Sequence, residues 1–202
     1  MSPGCTEGPP NKGMKQTKPG ELRSFAAYPP CWADSWYGDM TILVAYATQF
    51  GSTAGIAEAI GAAICESGAV VDVRCVRDVQ EIASYHAVVV GSAVHLGHLL
   101  PEAVEFVQRH QSDLRRVPVA LFCVYISSPP QRTREAYLDD IRGLVRPVSE
   151  GFFSGRFDRR GAALLIPKVL AWLVPPIDRR NWREIRGWAS SLAPLLRSAD
   201  ES

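Results

Sequence analysis

The chain has almost no net charge, no long apolar run and no cysteines at metal-binding or redox spacing. Its 202 residues carry 22 basic and 21 acidic side chains, a net +1, so no bulk field draws it to nucleic acid or to an anionic membrane. The longest apolar-rich stretch, residues 162–177, is interrupted by Lys168 and three prolines. A spanning helix needs about 20 apolar residues, and none is expected. The N-terminus is polar and rich in Pro and Gly, without the apolar core of a secretory signal. Cys5, Cys31, Cys65, Cys75 and Cys123 are odd in number and far apart, with no C-x-x-C pair. They read as reduced thiols of a cytosolic protein. What remains, 47% hydrophobic and 21% charged, is globular composition for one domain, or one domain with an appendage.

Residues 1–39 differ from the rest. The first 21 hold almost nothing apolar and cannot offset their ordering entropy, so a disordered extension is expected, or a translation start at Met40. From Met40 strand and helix signals alternate, and residues 40–198 are expected to form one domain with a short tail at 199–202. Thr41–Ala47 is a continuous apolar run, as a parallel strand buried on both faces requires. A helix over 54–67 has Ile56, Ala57, Ile60 and Ile64 on one face and Gly68 at its end. Strands are expected over 70–76, 86–91 running on towards 98, 117–124 and, more weakly, 148–157. Helices are expected from Pro101, over 133–145, and over 181–196 with Trp182, Ile185, Trp188, Ala189, Leu192, Leu195 and Leu196 inward. This alternation predicts an α/β fold, a doubly wound five-stranded parallel sheet in the order 2-1-3-4-5. An apolar insert, about 158–178, precedes the last helix.

In such a sheet, ligands bind beyond the carboxyl ends of the strands, beside strand 1. There the sequence reads Thr48, Gln49, Phe50, Gly51, Ser52, Thr53: three hydroxyls and a glycine leading into a helix. Helix N-termini carry unpaired N–H donors and roughly +0.5 charge, so an anion belongs there. The loop has no lysine and no G-x-G-x-x-G, which excludes the Walker loop and disfavours a dinucleotide site. A Ser/Thr cap on an ordinary helix is the plainer alternative. A nucleophile elbow at Gly51–Gly55 would need a late histidine, and none follows His110. A phospho-receiver would need an Asp ending strand 3 and acids after strand 1, where Gly91 and Thr48 stand.

Val44, Ala45, Tyr46, Ala47 and Thr48, with Gly51, Thr53, Ala57 and Ile60 at their spacing, resemble the phosphate-loop signature of flavodoxins, which wraps the 5′-phosphate of FMN. Ala45 and Phe50 depart from the usual residues, and Phe50 removes one hydroxyl. The resemblance implies FMN held by Thr48 to Thr53, with the loop after strand 3 flanking the isoalloxazine. That loop is Gly91, Ser92, Ala93, Val94, His95, Leu96, Gly97 and His98; its small residues permit close backbone approach. His95 and His98 have no carboxylate or Cys beside them in sequence, so no metal is expected. After strand 4, Tyr125 is the candidate to stack on the ring and Ser127 a further contact; a plain turn capping the next helix is equally open. No protein side chain is expected to be catalytic, because the flavin carries the redox step.

Residues 131–186 hold twelve basic and seven acidic side chains, net +5, whereas 40–130 hold five and eight, net −3. The insert, Arg-framed and apolar with Trp172, suits a membrane surface or a hydrophobic carboxylate substrate, or simply covers the sheet edge. Together these features are similar to the flavodoxin-type, quinone-linked protoporphyrinogen dehydrogenases, over roughly residues 40–197, although this insert is the more apolar and less basic. That resemblance implies an FMN-dependent oxidoreductase with a quinone or redox-protein partner, cytoplasmic or peripheral on the inner face of the cell membrane. The alternatives are a flavodoxin-type electron carrier and a flavin-free interaction module.

Overall fold

Every residue of Thr41–Ala47 (β1) except the two polar-ended positions Thr41 and Tyr46 is buried, and its side chains divide between two cores. Ile42 and Val44 join one cluster with Ile56, Ile60 and Ile185. Leu43, Ala45 and Ala47 join the other with Phe106, Val107 and Ile141. Alternate residues of a strand point to opposite faces, so this division makes β1 the middle layer of a three-layer sandwich. The computed structural model describes residues 40–126, 135–157 and 177–197. The expected extension, the tail and all of the insert except Ile177 and Asp178 lie outside them.

After β1 come α1 (Ser52–Cys65), β2 (Val70–Cys75), a 3₁₀ turn (Val76–Asp78), β3 (Ala87–His95), β4 (His98–Leu99), α2 (Pro101–Arg109) and α3 (Gln111–Leu114). Then follow β5 (Val119–Tyr125), α4 (Asp139–Arg142), β6 (Pro147–Ser154), β7 (Arg156–Phe157), β8 (Ile177–Asp178) and α5 (Trp182–Arg197). The long strands lie in the order β2-β1-β3-β5-β6, all parallel, which is the expected 2-1-3-4-5 winding. A sixth short strand, β4, turns back antiparallel on the end of β3. Helices α1 and α5 cover one face, and α2, α3 and α4 the other.

Four local expectations need correction. The helix expected over 133–145 is, in its described part, interrupted: residues 135–136 and α4 are helical, with a turn at 137–138 between them and turns after Arg142. The N–H groups of Leu138, Ile141 and Leu144 donate to carbonyls three residues back, at 3.3, 3.1 and 3.0 Å. The N–H groups of Arg142 and Val145 donate four residues back, at 2.8 and 3.2 Å, and Tyr137, Leu138, Ile141 and Val145 are buried, so the apolar face holds while the helix itself is broken. The fifth strand does not run to 157. It breaks at Gly155, whose N–H donates to the Tyr125 carbonyl at 2.7 Å, and Arg156–Phe157 then pairs antiparallel with Ile177–Asp178. On α5, Ile185, Ala189, Leu192, Ala193 and Leu196 are buried, while Trp182 and Leu195 are 39% and 41% exposed. Trp182 takes the Arg180 guanidinium over its ring instead, 4.4 Å from the centroid. Finally, Cys65 is disulfide-bonded rather than reduced, whereas Cys75 and Cys123 are thiols. Cysteine spacing alone carries no connectivity.

His110, between α2 and α3, is buried, and its Nε2 has no hydrogen-bond partner among the described residues. Its ring packs on Phe106 at 4.8 Å. Burial, and secondarily the Arg109 charge, pushes its pKa below 6.5, against a smaller upward pull from Asp113. The neutral ring is therefore the folded form, and the unfolded chain binds the proton more readily. Its contribution to stability is present above about pH 6.5 and is lost as pH falls below that value. Thermal melts between about pH 7.5 and 5 should show a decline that His110→Phe flattens; an identical slope in both proteins would exclude His110 as its cause.

Candidate functional site

At the carboxyl ends of β1, β3, β5 and β6 the chain forms a crevice lined by Thr48, Gln49, Phe50, Ser52 and Thr53 on one side. Ala93, Val94 and His95 face them, with Val124, Ile126, Gly155 and Arg156 completing the wall. It is narrow, about 30 Å³, room for a few water molecules at most, with Gly155 and Arg156 lining one side. A Cβ on Gly155 would lie 2.8 Å from Val124 Cγ1 and 3.1 Å from Ser52 Oγ, so only glycine lets the chain pass this close.

The loop presents donors of the kind that suit an anion. Gly51 is the N-cap of α1, in the left-handed region at φ +80°, and supplies no side-chain cap; the first turn of α1 contains no acid. A left-handed position costs a non-glycine residue roughly 1–2 kcal/mol. The Gly51 N–H donates to Thr48 Oγ1 at 3.0 Å, which closes the turn. The Arg156 N–H donates to Ser52 Oγ at 2.7 Å. In both bonds the hydroxyl accepts, so each still has its own proton to donate. Thr53 Oγ1 is fully buried and has no partner among the described residues. An unsatisfied buried hydroxyl costs about 1–3 kcal/mol, and a phosphate oxygen at this loop is the acceptor it lacks. The donors present thus fit a phosphate monoester.

The β3–β4 hairpin forms the second wall. His95 and His98 pair across it, and Leu96 and Gly97 both have positive φ, +52° and +89°, the two-residue turn that matches strand twist. Leu96 is a leucine in a glycine or asparagine position and is 87% exposed.

Of the fifteen expected site residues, eight line this crevice. Gly51 shapes the loop without lining it. Ser92 is buried and receives the Leu100 N–H at 3.0 Å while donating to the Ala93 carbonyl at 2.9 Å, so it ties β3 to the start of α2. Leu96, Gly97 and His98 form the outer turn; His98 Nδ1 stands 3.9 Å from Asp140 Oδ2, an ion pair when the ring is protonated. Tyr125 is 4% exposed, packed in the core beneath α2 and α4, and its ring is not presented as a stacking wall. Ile126, the next residue, lines the crevice in its place. The sheet's pleat reverses the side with each residue, which sequence alone did not resolve here. Ser127 lies outside the described residues. Sequence reasoning missed Val124, Gly155 and Arg156, although strands 4 and 5 had to end on this same rim.

A larger cavity of about 280 Å³ lies between β6 and α5, lined by Glu135, Glu150, Glu184, Phe152, Phe153 and Trp188. Glu150 is paired with Arg142 at 2.7 Å, but Glu135 and Glu184 make this cavity more acidic than the smaller crevice, which suits an anion better. On the basic side, Arg180 forks onto Asp178 through Nε and Nη2 at 2.9 and 2.6 Å. That bond, more than the nearby Arg156, holds the Asp178 carboxyl below the usual carboxylate range.

A family model described as "Flavodoxin domain" matches residues 43–164. Protoporphyrinogen IX dehydrogenase (quinone) of Escherichia coli strain K12 is 31% identical over 98 residues, 46% of this chain and 54% of that protein. The chain therefore spans about half the length of the curated relatives it matches. A flavodoxin structure from the domain Archaea superposes with a TM-score of 0.53 at 20% identity, covering 78% of this chain and 99% of the other. Two-electron reduced Megasphaera elsdenii flavodoxin gives 0.51 at 18% identity, covering 74% and 98%. At these identities the structures speak for the fold alone.

Proposed function

The chain belongs to the flavodoxin domain family, and from that premise we propose that it is an FMN-dependent oxidoreductase taking hydrogen from a porphyrinogen-like hydrophobic carboxylate and passing it to a quinone. FMN is the cofactor of the flavodoxin domain, and when bound it supplies the acceptance and release of hydrogen or electrons. Thr48, Ser52 and Thr53 donate to its phosphate, the N-terminus of α1 adds backbone donors, and Ala93, Val94 and His95 border the ring's side of the crevice. The observation that carries the substrate class is the 98-residue match to a protein named as a quinone-linked protoporphyrinogen IX dehydrogenase.

Charge supports an enzyme with its own substrate over a shuttle. An acidic surface steers electron carriers onto basic partners, whereas here residues 131–186 carry net +5. Those arginines suit a carboxylate-bearing substrate and a peripheral contact with anionic lipid. No helix among the described residues is long and apolar enough to cross a membrane.

Anaerobic turnover of protoporphyrinogen with menadione by the FMN-loaded protein tests the reading. Porphyrin should accumulate as menadione is reduced to its quinol. Rapid reduction by a ferredoxin-type reductase with no porphyrinogen or quinone turnover would establish a carrier instead. Failure to take up FMN would leave an interaction module.

A further inference from the structure

The phosphate loop of this chain is neutral, yet the structure brings a cationic ribbon against it. Gly155 and Arg156 line one side of the crevice, and the Arg156 N–H is bonded to Ser52 Oγ at 2.7 Å, so the backbone at Arg156 is fixed to the loop itself. Arg156 lines the same crevice as Thr48, Ser52 and the fully buried Thr53 hydroxyl, which has no partner among the described residues. The ribbon is also held from its other strand. Arg156 pairs with Asp178 in register, and the Arg179 N–H donates to the Gly155 carbonyl at 3.2 Å. The Arg180 side chain is 14% exposed: it grips Asp178, lies over Trp182, and leaves only 3.2 Å between its Nη1 and a Cβ placed on Gly55. Arg180 therefore pins the ribbon to the first turns of α1, and Asp178 is engaged chiefly by Arg180.

We infer that Arg156 is the residue by which this site distinguishes a phosphorylated flavin from an unphosphorylated one, its guanidinium meeting the phosphate opposite the hydroxyls of Thr48, Ser52 and Thr53. The inference rests on the FMN reading above and deepens it. Hydroxyls and backbone N–H groups solvate a dianion by dipoles alone; a guanidinium adds a full charge and a planar fork that fits phosphate oxygens. Because its own N–H occupies Ser52 Oγ as acceptor, Arg156 also turns the Ser52 proton towards the ligand. Arg156 thus acts twice, through its backbone on the loop and through its side chain on the phosphate.

The test is flavin titration of the full chain, read by fluorescence quenching, with FMN and riboflavin measured side by side. Arg156→Ala keeps the backbone bond to Ser52 and removes only the side chain. It should lower the preference for FMN over riboflavin by about tenfold or more, leave riboflavin affinity unchanged, and weaken the salt dependence of FMN binding. Arg156→Lys should restore part of the preference. Arg179→Ala removes the same charge from the ribbon at a residue that does not line the crevice, and should change the preference little. An unchanged preference in Arg156→Ala, an equal loss of both flavins, or an equal effect of Arg179→Ala would each overturn the role of Arg156 while leaving FMN binding established. A wild-type protein that binds neither flavin would overturn the FMN reading, and this inference with it.

Discussion

Gly91→Ala is expected to destabilise the domain by about 3 kcal/mol, the upper end of the usual range for overpacking a core, and to lower its melting temperature by roughly 6–12 °C. Gly91 on β3 sits beside Phe122 on β5 and, one strand further, Gly151 on β6. All three face α1 and α5. The Phe122 ring lies over the missing Gly91 side chain: a Cβ there would fall 1.9 Å from Cζ, inside any van der Waals contact. A Cβ on Gly151 would meet Phe153 and Trp188 at 2.9 and 3.0 Å. Those rings and Phe122 make one cluster, with centroids 5.4 to 6.3 Å apart, and Trp188 Nε1 donates to Ser149 Oγ at 3.1 Å. Alanine at 91 must displace this whole group, because interiors are packed too densely to yield locally. Phe122→Leu in the same chain should recover part of the loss, which a double-mutant cycle on thermal melts reads directly. Purely additive losses would show that the clash is not with Phe122.

Replacing Thr48, Ser52 and Thr53 together by alanine should weaken FMN binding at least about a hundredfold. Each hydrogen bond to a charged group contributes about 1.5–3 kcal/mol, and 1.4 kcal/mol is tenfold in affinity. The sum is not additive, since Thr48 also closes the turn at Gly51 and Ser52 also holds the chain at Arg156. Thr53→Val separates binding from folding. Its hydroxyl is buried and unpartnered among the described residues, so an isosteric apolar side chain should leave the flavin-free protein as stable as before or more so. FMN affinity should nevertheless fall about tenfold or more. Circular dichroism melts and flavin fluorescence quenching measure the two effects. Undiminished FMN uptake by the triple variant would remove the phosphate from this loop.

Much of this was legible in the chain because it rests on local chemistry. A strand with no polar face must be buried on both sides, so Thr41–Ala47 announced a layered α/β sheet. Hydroxyls and a glycine between that strand and an amphipathic helix predict a turn with donors to offer, since helix N-termini carry unpaired N–H groups. The left-handed backbone observed at Gly51 and Gly68 agrees with glycine's role there. Other details were ambiguous from the start. Residues 137–145 have helical apolar spacing, and a helix broken by turns, with i, i+3 and i, i+4 bonds mixed, buries the same side chains. The last helix had a correct inward face at Ile185, Ala189, Leu192 and Leu196, yet Trp182 was drawn out to Arg180.

By itself, then, the sequence determined the order of elements, the parallel winding and the hydroxyl- and glycine-bearing turn between β1 and α1, because each depends on neighbours along the chain. Only the tertiary structure decided which residues close the crevice from the far strands. Gly155 and Arg156 reach Ser52, 104 positions away for Arg156, and that meeting depends on where β6 ends beside β5 rather than on any motif. Likewise the pleat alone turned Tyr125 into the core and brought Ile126 to the crevice. Register and strand length place side chains in space, and neither is encoded within the few residues that a local pattern spans.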